Sequence, residues 1–342
     1  MSKPYNTLVL IGRFQPFHNA HLEIVRRATA LTKHLVIITG SAKQPRTYKN
    51  PFTSDERAFM IQAATRGMLS GDFNIHIESN VDTIYNDQAW AVRVQGIMSK
   101  YVVLGGRNGI IGHKKDESSF YLDMFPQWEF VNVEEIEPLS AVNIRDLYFK
   151  RDVNMNFIKH VVPETTFDFL TKFKETAEYE QIIREREFVE TYKKQYASLP
   201  YPPIFSTADA VVIQSGHVLM IRRRAEPGKG LWALPGGYVN ANTDKSVEDA
   251  AIRELREETM IKVPAPVLRG NIVRSKVFDA IDRSPRGRII THAFYIQLPD
   301  GELPKIKGSD DADKARWVPI AEVKSEECFE DHYEIIQHFL GA

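Results

Sequence analysis

Two histidines stand three residues apart, directly after an apolar run in the N-terminal part of the chain. Residues 11–21 read Ile-Gly-Arg-Phe-Gln-Pro-Phe-His-Asn-Ala-His, and residues 8–10 before them are Leu-Val-Leu. The apolar run predicts a buried strand, and the residues after it predict the start of a helix. His18 and His21 would then share one face of the first helical turn, where backbone N–H groups attract phosphate. This arrangement predicts a site for a nucleoside triphosphate.

Three glutamates share one face of a second predicted helix. Residues 253–259 read Arg-Glu-Leu-Arg-Glu-Glu-Thr, which spaces Glu254, Glu257 and Glu258 by three and four residues. Carboxylates this close repel one another, and a divalent cation that prefers oxygen ligands, such as Mg²⁺, would neutralise them. Arg253 stands one turn before Glu257 and can pair with it. The pattern predicts a metal site, and a solvated acidic helix is the alternative.

The first pattern resembles the G-x-F-x-P-x-H-x-G-H signature of nucleotidyltransferases, and its surroundings resemble the archaeal-type nicotinamide mononucleotide (NMN) adenylyltransferases. Asn19-Ala20 departs from the signature, because the family has Gly at the second of these positions. Residues 50–57, Asn-Pro-Phe-Thr-Ser-Asp-Glu-Arg, are similar to the family's N-P-F-T-x-x-E-R segment, whose Thr or Ser can cap the next helix. Residues 140–145, Ser-Ala-Val-Asn-Ile-Arg, are similar to a later Ser-x-Thr-x-Ile/Val-Arg motif.

This resemblance implies a phosphate site without a P-loop, since no G-x4-G-K-S/T sequence occurs in the chain. It also implies catalysis without a protein nucleophile, by alignment of the substrates and stabilisation of charge on phosphate oxygens. The catalytic residues implied are His18, His21, Arg13 and Arg145. The implied contacts with ATP are made by Gly12, Phe14, His18, His21, Ser140, Asn143 and Arg145.

The expected NMN pocket lies in residues 82–90. Trp90 is the principal candidate, because a planar, positively charged nicotinamide ring stacks on an indole with added cation-π attraction. Core packing is the alternative for a tryptophan at helical spacing. Asp82 and Asn86 are the other residues that we assign to NMN.

The second pattern resembles the Nudix box, G-x5-E-x7-R-E-U-x-E-E-x-G-U, whose members hydrolyse nucleoside diphosphates linked to another group. The spacing from Gly237 to Arg253 is two residues longer than in the family. Lys245 replaces the early Glu, with Asp244 beside it, and Met260 replaces the last Gly. These changes affect the loop and the helix end before they affect the glutamates. We therefore expect an active hydrolase.

The Nudix resemblance assigns both catalysis and metal binding to Glu254, Glu257 and Glu258. We assign ADP-ribose binding to Gly236, Gly237 and Arg222, the first residue of an Arg-Arg-Arg run after a predicted strand. Solvated surface charge is an equal alternative for this run. Mg²⁺, or Mn²⁺ in its place, is the cofactor expected at both sites.

A parallel sheet would position the first site. Apolar runs alternate with helical segments at residues 55–65 and 88–98, and this order predicts βαβ units. Ligands of such sheets bind beyond the carboxyl ends of the strands. Loops after the first, second and fourth strands would then line one crevice, and the loop after the fourth strand would begin with Gly105 and Gly106. Polar residues 112–119 would cover the phosphates with either Lys114 or Lys115. The predicted strands are residues 8–11, 35–38, 75–77, 101–104 and 130–133.

A mixed sheet flanked by helices would position the second site. Residues 210–213 and 218–221 predict a hairpin, residues 292–297 a further strand and residues 327–340 a final helix. Between the two sites, residues 165–196 carry an amphipathic helical pattern that ends at a Pro-rich stretch near residue 200. The expected domains are residues 1–180, a helical linker at 181–203, and residues 204–342.

Composition agrees with two globular domains. The chain has 342 residues, 43% hydrophobic and 26% charged, and a formal net charge of −1, which argues against a nucleic-acid surface. No stretch approaches the roughly 18 apolar residues of a membrane span, and the first residues lack an apolar signal core. Cys328, the only cysteine, permits no internal disulfide. We expect a cytoplasmic enzyme without membrane or nucleic-acid partners, and a homo-oligomer whose size the sequence does not specify.

The fold class expected is α/β: a Rossmann-like nucleotidyltransferase sheet followed by an α/β (α+β) Nudix domain. As a whole the chain resembles bacterial bifunctional enzymes that join these two activities. The resemblance implies synthesis of NAD⁺ from NMN and ATP, and hydrolysis of ADP-ribose to AMP and ribose 5-phosphate. Two alternatives stay open. The first is a nucleotidyltransferase for another acceptor, and the second is a Nudix domain that only senses ADP-ribose.

Overall fold

The computed structural model describes residues 3–69, 72–103, 105–114, 117–134, 140–307 and 312–341. The chain divides into two compact units, Met1–Ile183 and Arg184–Ala342, each with its own sheet and hydrophobic clusters. No helix in these described ranges is long and apolar enough to span a membrane.

The first unit contains a five-stranded sheet whose strand pairs are all parallel, as predicted. The spatial order is β3-β2-β1-β4-β5. Alternate residues of β1 pack on opposite faces: Leu8 and Leu10 join one hydrophobic cluster, and Val9 and Ile11 join another. Both faces are therefore covered, as a parallel sheet requires. The strands are β1 (Tyr5–Gly12), β2 (Thr32–Thr39), β3 (Asn74–Ser79), β4 (Asn108–Gly112) and β5 (Glu129–Asn132).

Seven α-helices are assigned to the described residues from Asn19 to Lys194, and the last of them contains the division between the units. Thr53 caps the second helix and exchanges hydrogen bonds with Glu56, which confirms the capping role predicted for this segment. The helices are α1 (Asn19–Leu31), α2 (Ser54–Thr65), α3 (Asp87–Met98), α4 (Ala141–Tyr148), α5 (Met155–Val161), α6 (Glu164–Phe173) and α7 (Ala177–Lys194).

The strand predicted at residues 101–104 is wrong. Residues 101 and 102 close a turn after α3, since both backbone N–H groups donate to the carbonyl of Met98, and Leu104 lies outside the described residues. The fourth strand is β4, which sequence patterning missed because it contains glycine. A Cβ on Gly109 would lie 2.7 Å from the carbonyl oxygen of Glu129, so only glycine fits this close strand contact.

The helical pattern at residues 165–196 forms two helices. The chain turns after α6, where the backbone N–H of Thr176 donates to the carbonyl of Phe173. The Thr176 hydroxyl then accepts from the backbone N–H of Tyr179 and starts α7. A threonine that can bond its own neighbours interrupts a helix in this way, although the apolar periodicity continues across it.

The second unit contains a mixed sheet with the path β10-β11-β6-β7-β12, to which β8 and β9 are added at β7 and β6. The predicted hairpin is confirmed: Ser215 and Gly216 form its turn with positive φ angles of 46° and 71°. The strands are β6 (Ile204–Gln214), β7 (His217–Arg223), β8 (Trp232–Ala233), β9 (Gly236–Tyr238), β10 (Ile272–Phe278), β11 (Arg288–Gln297) and β12 (Ala312–Pro319). The helices are α8 (Val247–Thr259), α9 (Ala265–Gly270) and α10 (His332–Leu340).

The final helix is shorter than predicted. Residues 325–327 form a single 3₁₀ turn, and Glu330 has a φ of +45°, which is incompatible with a continuous α-helix from residue 327. Cys328 in this segment is buried, and burial raises the pKa of its thiol to about 12. A buried, protonated thiol is unreactive and serves packing.

Met260 ends α8 in the left-handed conformation, with φ +46° and ψ +31°. This is the position where the Nudix box has glycine, so the chain makes the same helix ending with a residue that has a Cβ. The left-handed conformation costs roughly 1–2 kcal/mol for such a residue. The Met260 side chain is 46% exposed and gains little from packing.

We therefore predict that Met260→Gly stabilises the protein by about 1 kcal/mol, which raises the melting temperature of this unit by roughly 2–4 °C. Calorimetry of the full chain would measure it. Met260→Ala keeps the Cβ and should give no gain. A Met260→Gly protein that melts below the wild type would contradict the argument.

Candidate functional sites

The loops that follow the parallel strands meet at one edge of the first sheet. Gly12 ends β1, and Phe14 after it has a φ of +51°. The Phe14 ring folds back over Gly12, where an added Cβ would lie 3.0 Å from the ring. A side chain at residue 12 would therefore crowd the ring in the turn that leads to the histidines.

The two histidines lie together at the start of α1. His18 is the N-cap residue, and its backbone N–H donates to Nδ1 of His21 over 3.3 Å. The two rings stack with centroids 3.7 Å apart, and His18 is only 4% exposed. The prediction that both share one face of the first helical turn is confirmed. They stand where the helix dipole and the backbone N–H groups of α1 favour an anion.

Two arginines, Arg13 from the loop after β1 and Arg145 from α4, lie close together at the same edge. Arg145 in α4 is buried, and one of its terminal nitrogens donates to the carbonyl of Gln15 over 2.8 Å. Burial and then the charge of Arg13 lower the pKa of Arg145 to about 10. Its Nε is buried without a hydrogen-bond partner among the described residues. An anion between Arg13, which is exposed, and Arg145 would relieve both the repulsion and the unsatisfied donor.

Arg57 and Gln15 hold these loops in place, and the sequence analysis did not assign either a role. The buried guanidinium of Arg57 donates to the carbonyls of Arg13, Gly40 and Ser41, at 2.7, 2.5 and 3.3 Å. The Gln15 side chain makes two 2.9 Å hydrogen bonds with the backbone of Phe52. Both residues lie in quoted motifs, but only the folded chain shows that the motifs bond to each other.

Ser140 starts α4, because its hydroxyl accepts from the backbone N–H of Asn143 over 3.2 Å. The capping residue is thus Ser140, and the Asn143 side chain is exposed in the first turn. The N-terminus of α4 leads one turn later to Arg145.

The residues predicted for NMN follow β3. The carboxylate of Asp82 accepts from the backbone N–H and the hydroxyl of Ser41, at 3.0 and 2.5 Å, and joins the loops after β2 and β3. Asn86 caps α3 by accepting from the N–H of Ala89. Trp90 is half-buried, and its ring centroid lies 5.9 Å from that of Phe125. Trp90 packs on the core while part of its ring reaches the surface, so both interpretations of it stay open.

The loops near β4 differ from expectation. Gly105 and Gly106 precede β4 and therefore lie at the opposite edge of the sheet from the histidines. The loop that does follow β4 begins with His113 and Lys114. Lys114 pairs with Asp123 over 2.8 Å, and Lys115 lies outside the described residues.

In the second unit, β9 lies directly against the glutamates of α8. A Cβ on Gly237 would lie 2.6 Å from a carboxylate oxygen of Glu254. The backbone N–H of Gly236 donates to Glu258 over 2.9 Å, and any side chain at Gly236 would collide with Asp209 of β6. The glycine pair thus permits the close approach of strand and helix.

Burial and repulsion raise the pKa values of Glu254 and Glu258. Burial raises the pKa of Glu258 to about 8, and the charges of Glu254 and Asp209 act in the same direction. Burial likewise raises the pKa of Glu254. The third carboxylate, Glu257, is largely exposed and pairs with Arg253 over 3.0 Å. In the described part of the chain, no three His, Cys, Asp or Glu side chains are already arranged around a metal position.

Arg253 forms ion pairs with three carboxylates in and before α8. It pairs with Glu257 as predicted, with Glu254 over 2.8 Å, and through two 2.8 Å bonds with Asp244. These bonds lower the pKa of Asp244 to about 2. Asp244 thus provides a carboxylate partner for Arg253 beside the position where the family has its early glutamate, and Lys245 is exposed.

A buried ion pair lies next in the chain to a residue that holds the segment before the glycine pair. Arg283 and Asp331 are both almost fully buried and bond at 2.6 and 2.9 Å. The next residue, His332, accepts the backbone N–H of Leu234 at its Nδ1 over 2.8 Å, just before the glycine pair. Burial lowers the pKa of His332 to about 3, so the ring is neutral. The only sign of these residues in the sequence is charge inside apolar surroundings.

Arg222 and Arg223, the first two residues of the arginine run, lie in different surroundings. Arg222 is exposed, and its Nε donates to the carbonyl of Gly230 over 3.1 Å. The half-buried Arg223 lies 3.9 Å above the Phe329 ring, and its charge lowers the pKa of Glu258. Of these two, it is Arg223 whose charge acts on the carboxylates.

Comparisons with known proteins agree with two separate sites. A cytidylyltransferase-like family model matches residues 9–158, and a NUDIX domain model matches residues 204–339. The chain is 34% identical to a structure described as a bifunctional NMN adenylyltransferase/ADP ribose pyrophosphatase from Francisella tularensis. This similarity covers 98% of this chain and 99% of that chain, with a TM-score of 0.92.

Relatives with single activities match each half. A nicotinamide/nicotinic acid mononucleotide adenylyltransferase of Acinetobacter baylyi is 37% identical over 179 residues, which are 52% of this chain and 92% of that protein. An ADP-ribose pyrophosphatase of Methanocaldococcus jannaschii is 31% identical over 160 residues, which are 47% of this chain and 83% of that protein. A second F. tularensis structure, 33% identical over 98% of this chain and 99% of that chain with a TM-score of 0.90, is complexed with AMP and a Mn ion.

Proposed function

We propose residue roles from the premise that the chain belongs to the family of bifunctional NMN adenylyltransferases/ADP-ribose pyrophosphatases. The enzyme makes NAD⁺ and pyrophosphate from NMN and ATP, and it hydrolyses ADP-ribose to AMP and ribose 5-phosphate. The observation that carries this conclusion is the presence of both built sites in one chain: stacked histidines among arginines, and glutamates against a glycine pair.

In the first reaction, a phosphate oxygen of NMN attacks the α-phosphorus of ATP, and the bond to pyrophosphate breaks. Negative charge then spreads over oxygens that need fixed donors nearby. His18 and His21 are held by their cap and stacking contacts at a helix N-terminus. Arg13 and Arg145 supply positive charge at the same edge. Gly12, Phe14, Ser140 and Asn143 would shape the ATP site around them.

The NMN pocket would use the exposed part of Trp90 for the nicotinamide ring, with Asp82 and Asn86 at its border. The core contacts of Trp90 support this role, because a ring fixed against Phe125 loses little freedom when a ligand stacks on it. Nicotinamide carries a positive charge, which favours an indole face.

In the second reaction, the carboxylates of Glu254, Glu257 and Glu258 would hold Mg²⁺ or Mn²⁺. Their carboxylate oxygens fit such a cation. The pKa values of Glu254 and Glu258 are raised by burial and by repulsion from other carboxylates, and a divalent cation would offset both effects. A bound cation would lower the pKa of water and neutralise the leaving phosphate. Arg253 would keep Glu257 and Glu254 oriented, and Gly236 and Gly237 would let the diphosphate approach.

Neither alternative from the sequence is favoured. The similarity over the full chain is to an enzyme that uses NMN, which disfavours another acceptor. A pure sensor of ADP-ribose predicts lost metal ligands, but all three glutamates are present. Five expectations stay predictions: a cytoplasmic location, a homo-oligomer, the absence of nucleic-acid partners, Mg²⁺ with the ATP of the first site, and an ADP-ribose contact by Arg222.

The adenylyl transfer site is tested by His18→Ala and His21→Ala. Loss of preorganised charge stabilisation should reduce NAD⁺ synthesis on the order of 100-fold or more. Hydrolysis of ADP-ribose should stay close to the wild-type rate, since the sites lie in separate units. His34→Ala, which changes a histidine near the start of β2 at the far edge of the sheet, is the matched control and should keep both activities. Wild-type NAD⁺ synthesis in both variants would refute the assignment.

The NMN pocket is tested by Trp90→Ala. The loss of stacking, roughly 1–2 kcal/mol, should weaken NMN binding about 5- to 30-fold and leave ATP binding nearly unchanged. Calorimetric titration with each substrate measures this, and Trp90→Phe should give an intermediate result. Equal weakening for both substrates together with a lower melting temperature would show that Trp90 serves the core alone.

The hydrolase is tested by Glu258→Gln, which should abolish metal-dependent ADP-ribose cleavage because a carboxylate ligand is lost. Glu248→Gln changes a half-buried glutamate of the same helix, which pairs with Arg269 and not with Arg253, and is the matched control. Lys245→Glu should change cleavage only modestly, because Asp244 already pairs with Arg253. All three variants should make NAD⁺. Wild-type protein that binds ADP-ribose without turnover, and gains turnover with Lys245→Glu, would reveal a degenerate sensor.

A further inference from the structure

Four aromatic side chains form a surface cluster in the second unit. Their ring centroids are 5.0 Å apart for Tyr196 and Phe205, 5.8 Å for Phe205 and Tyr238, and 5.9 Å for Tyr192 and Phe205. None of the four is fully buried, and Tyr238 is 38% exposed. We call Tyr192, Tyr196, Phe205 and Tyr238 the aromatic cluster.

The aromatic cluster lies next to the catalytic carboxylates, because Arg253 bonds to both. Tyr238 directly follows the glycine pair, and its backbone carbonyl accepts from Arg253 over 3.2 Å. The same Arg253 bonds to Glu254 and Glu257. A diphosphate held by the glutamates would therefore have the ring of Tyr238 within the length of one nucleoside.

The side chains around Tyr238 fix its ring. Its hydroxyl lies 3.0 Å from that of Tyr192, and Arg286 donates to it over 3.4 Å. The Arg286 guanidinium lies 5.8 Å from the Tyr238 ring centroid and is held by buried Glu330. Because the two phenol oxygens are engaged with each other, the cluster offers ring faces and a guanidinium plane.

We propose that the aromatic cluster, with Tyr238 at its centre, binds the purine base of ADP-ribose during hydrolysis. This inference rests on the proposed hydrolase function and names the part of the substrate that the cluster recognises. A purine is flat and uncharged, and it stacks on aromatic rings and on guanidinium planes. The terminal ribose has hydroxyls on both faces and is recognised by hydrogen bonds, whereas the cluster presents mainly aromatic ring surface.

The test uses the products as competitive inhibitors of ADP-ribose hydrolysis, so that only the hydrolase site is measured. In Tyr238→Leu, the inhibition constant of AMP should rise about tenfold, and that of ribose 5-phosphate should stay unchanged. The KM for ADP-ribose should rise with a smaller change in kcat. Tyr238→Phe keeps the ring and should restore most of the AMP affinity.

Tyr201→Leu is the matched control, because Tyr201 is 81% exposed in the same unit and lies outside the cluster. In Tyr201→Leu, the inhibition constants of AMP and ribose 5-phosphate should equal those of the wild type. Equal changes for AMP and ribose 5-phosphate in Tyr238→Leu, or no change for either, would overturn the inference. A wild-type chain without ADP-ribose turnover would overturn the proposed function, and the purine assignment with it.

A second measurement needs no variant. Purines stack more strongly than pyrimidines because their ring area is larger, so AMP should inhibit the wild-type hydrolase several-fold more strongly than UMP. Equal inhibition by the two nucleotides would overturn the inference even if Tyr238→Leu failed to fold.

Discussion

Burial of like charges beside one another is the constraint on which both sites depend. In the first unit, burial and then the charge of Arg13 lower the pKa of Arg145, and in the second, burial and then the charge of Glu254 raise the pKa of Glu258. Such groups would separate in a flexible chain. They stay together because their elements are fixed elsewhere, and the stored repulsion becomes affinity for ligands of opposite charge: phosphates in one unit and divalent cations in the other.

Backbone contacts do most of this fixing. Arg57 binds carbonyls from the loops after β1 and β2, and Gly236 donates its N–H to Glu258. In the second unit, the buried pair of Arg283 and Asp331 carries His332 to the backbone of Leu234. Removing one partner of such a buried pair leaves an uncompensated charge, so these residues are as necessary to the sites as those that touch substrate.

Strand direction decides which loops take part. Because β1 to β5 are parallel, every loop that follows a strand lies on the histidine edge. The wrong fourth strand shows how strongly the site depends on this point. Moving the strand from residues 101–104 to Asn108–Gly112 takes Gly105 and Gly106 away from the crevice and makes His113 and Lys114, already expected near the phosphates, the start of the loop that follows the fourth strand.

The sequence alone determined the two motifs, the parallel sheet, the hairpin at Ser215 and the helix face shared by the glutamates, because each depends on residues close together in the chain. Tertiary structure decided the rest. Arg57 and Gln15 form hydrogen bonds between motifs, and the aromatic cluster around Tyr238 joins residues far apart in the chain. The structure also decides that Asp244 is a partner of Arg253, which has several nearby carboxylates. Local periodicity carries no information on such contacts, since they arise only when the packed core fixes which surfaces meet.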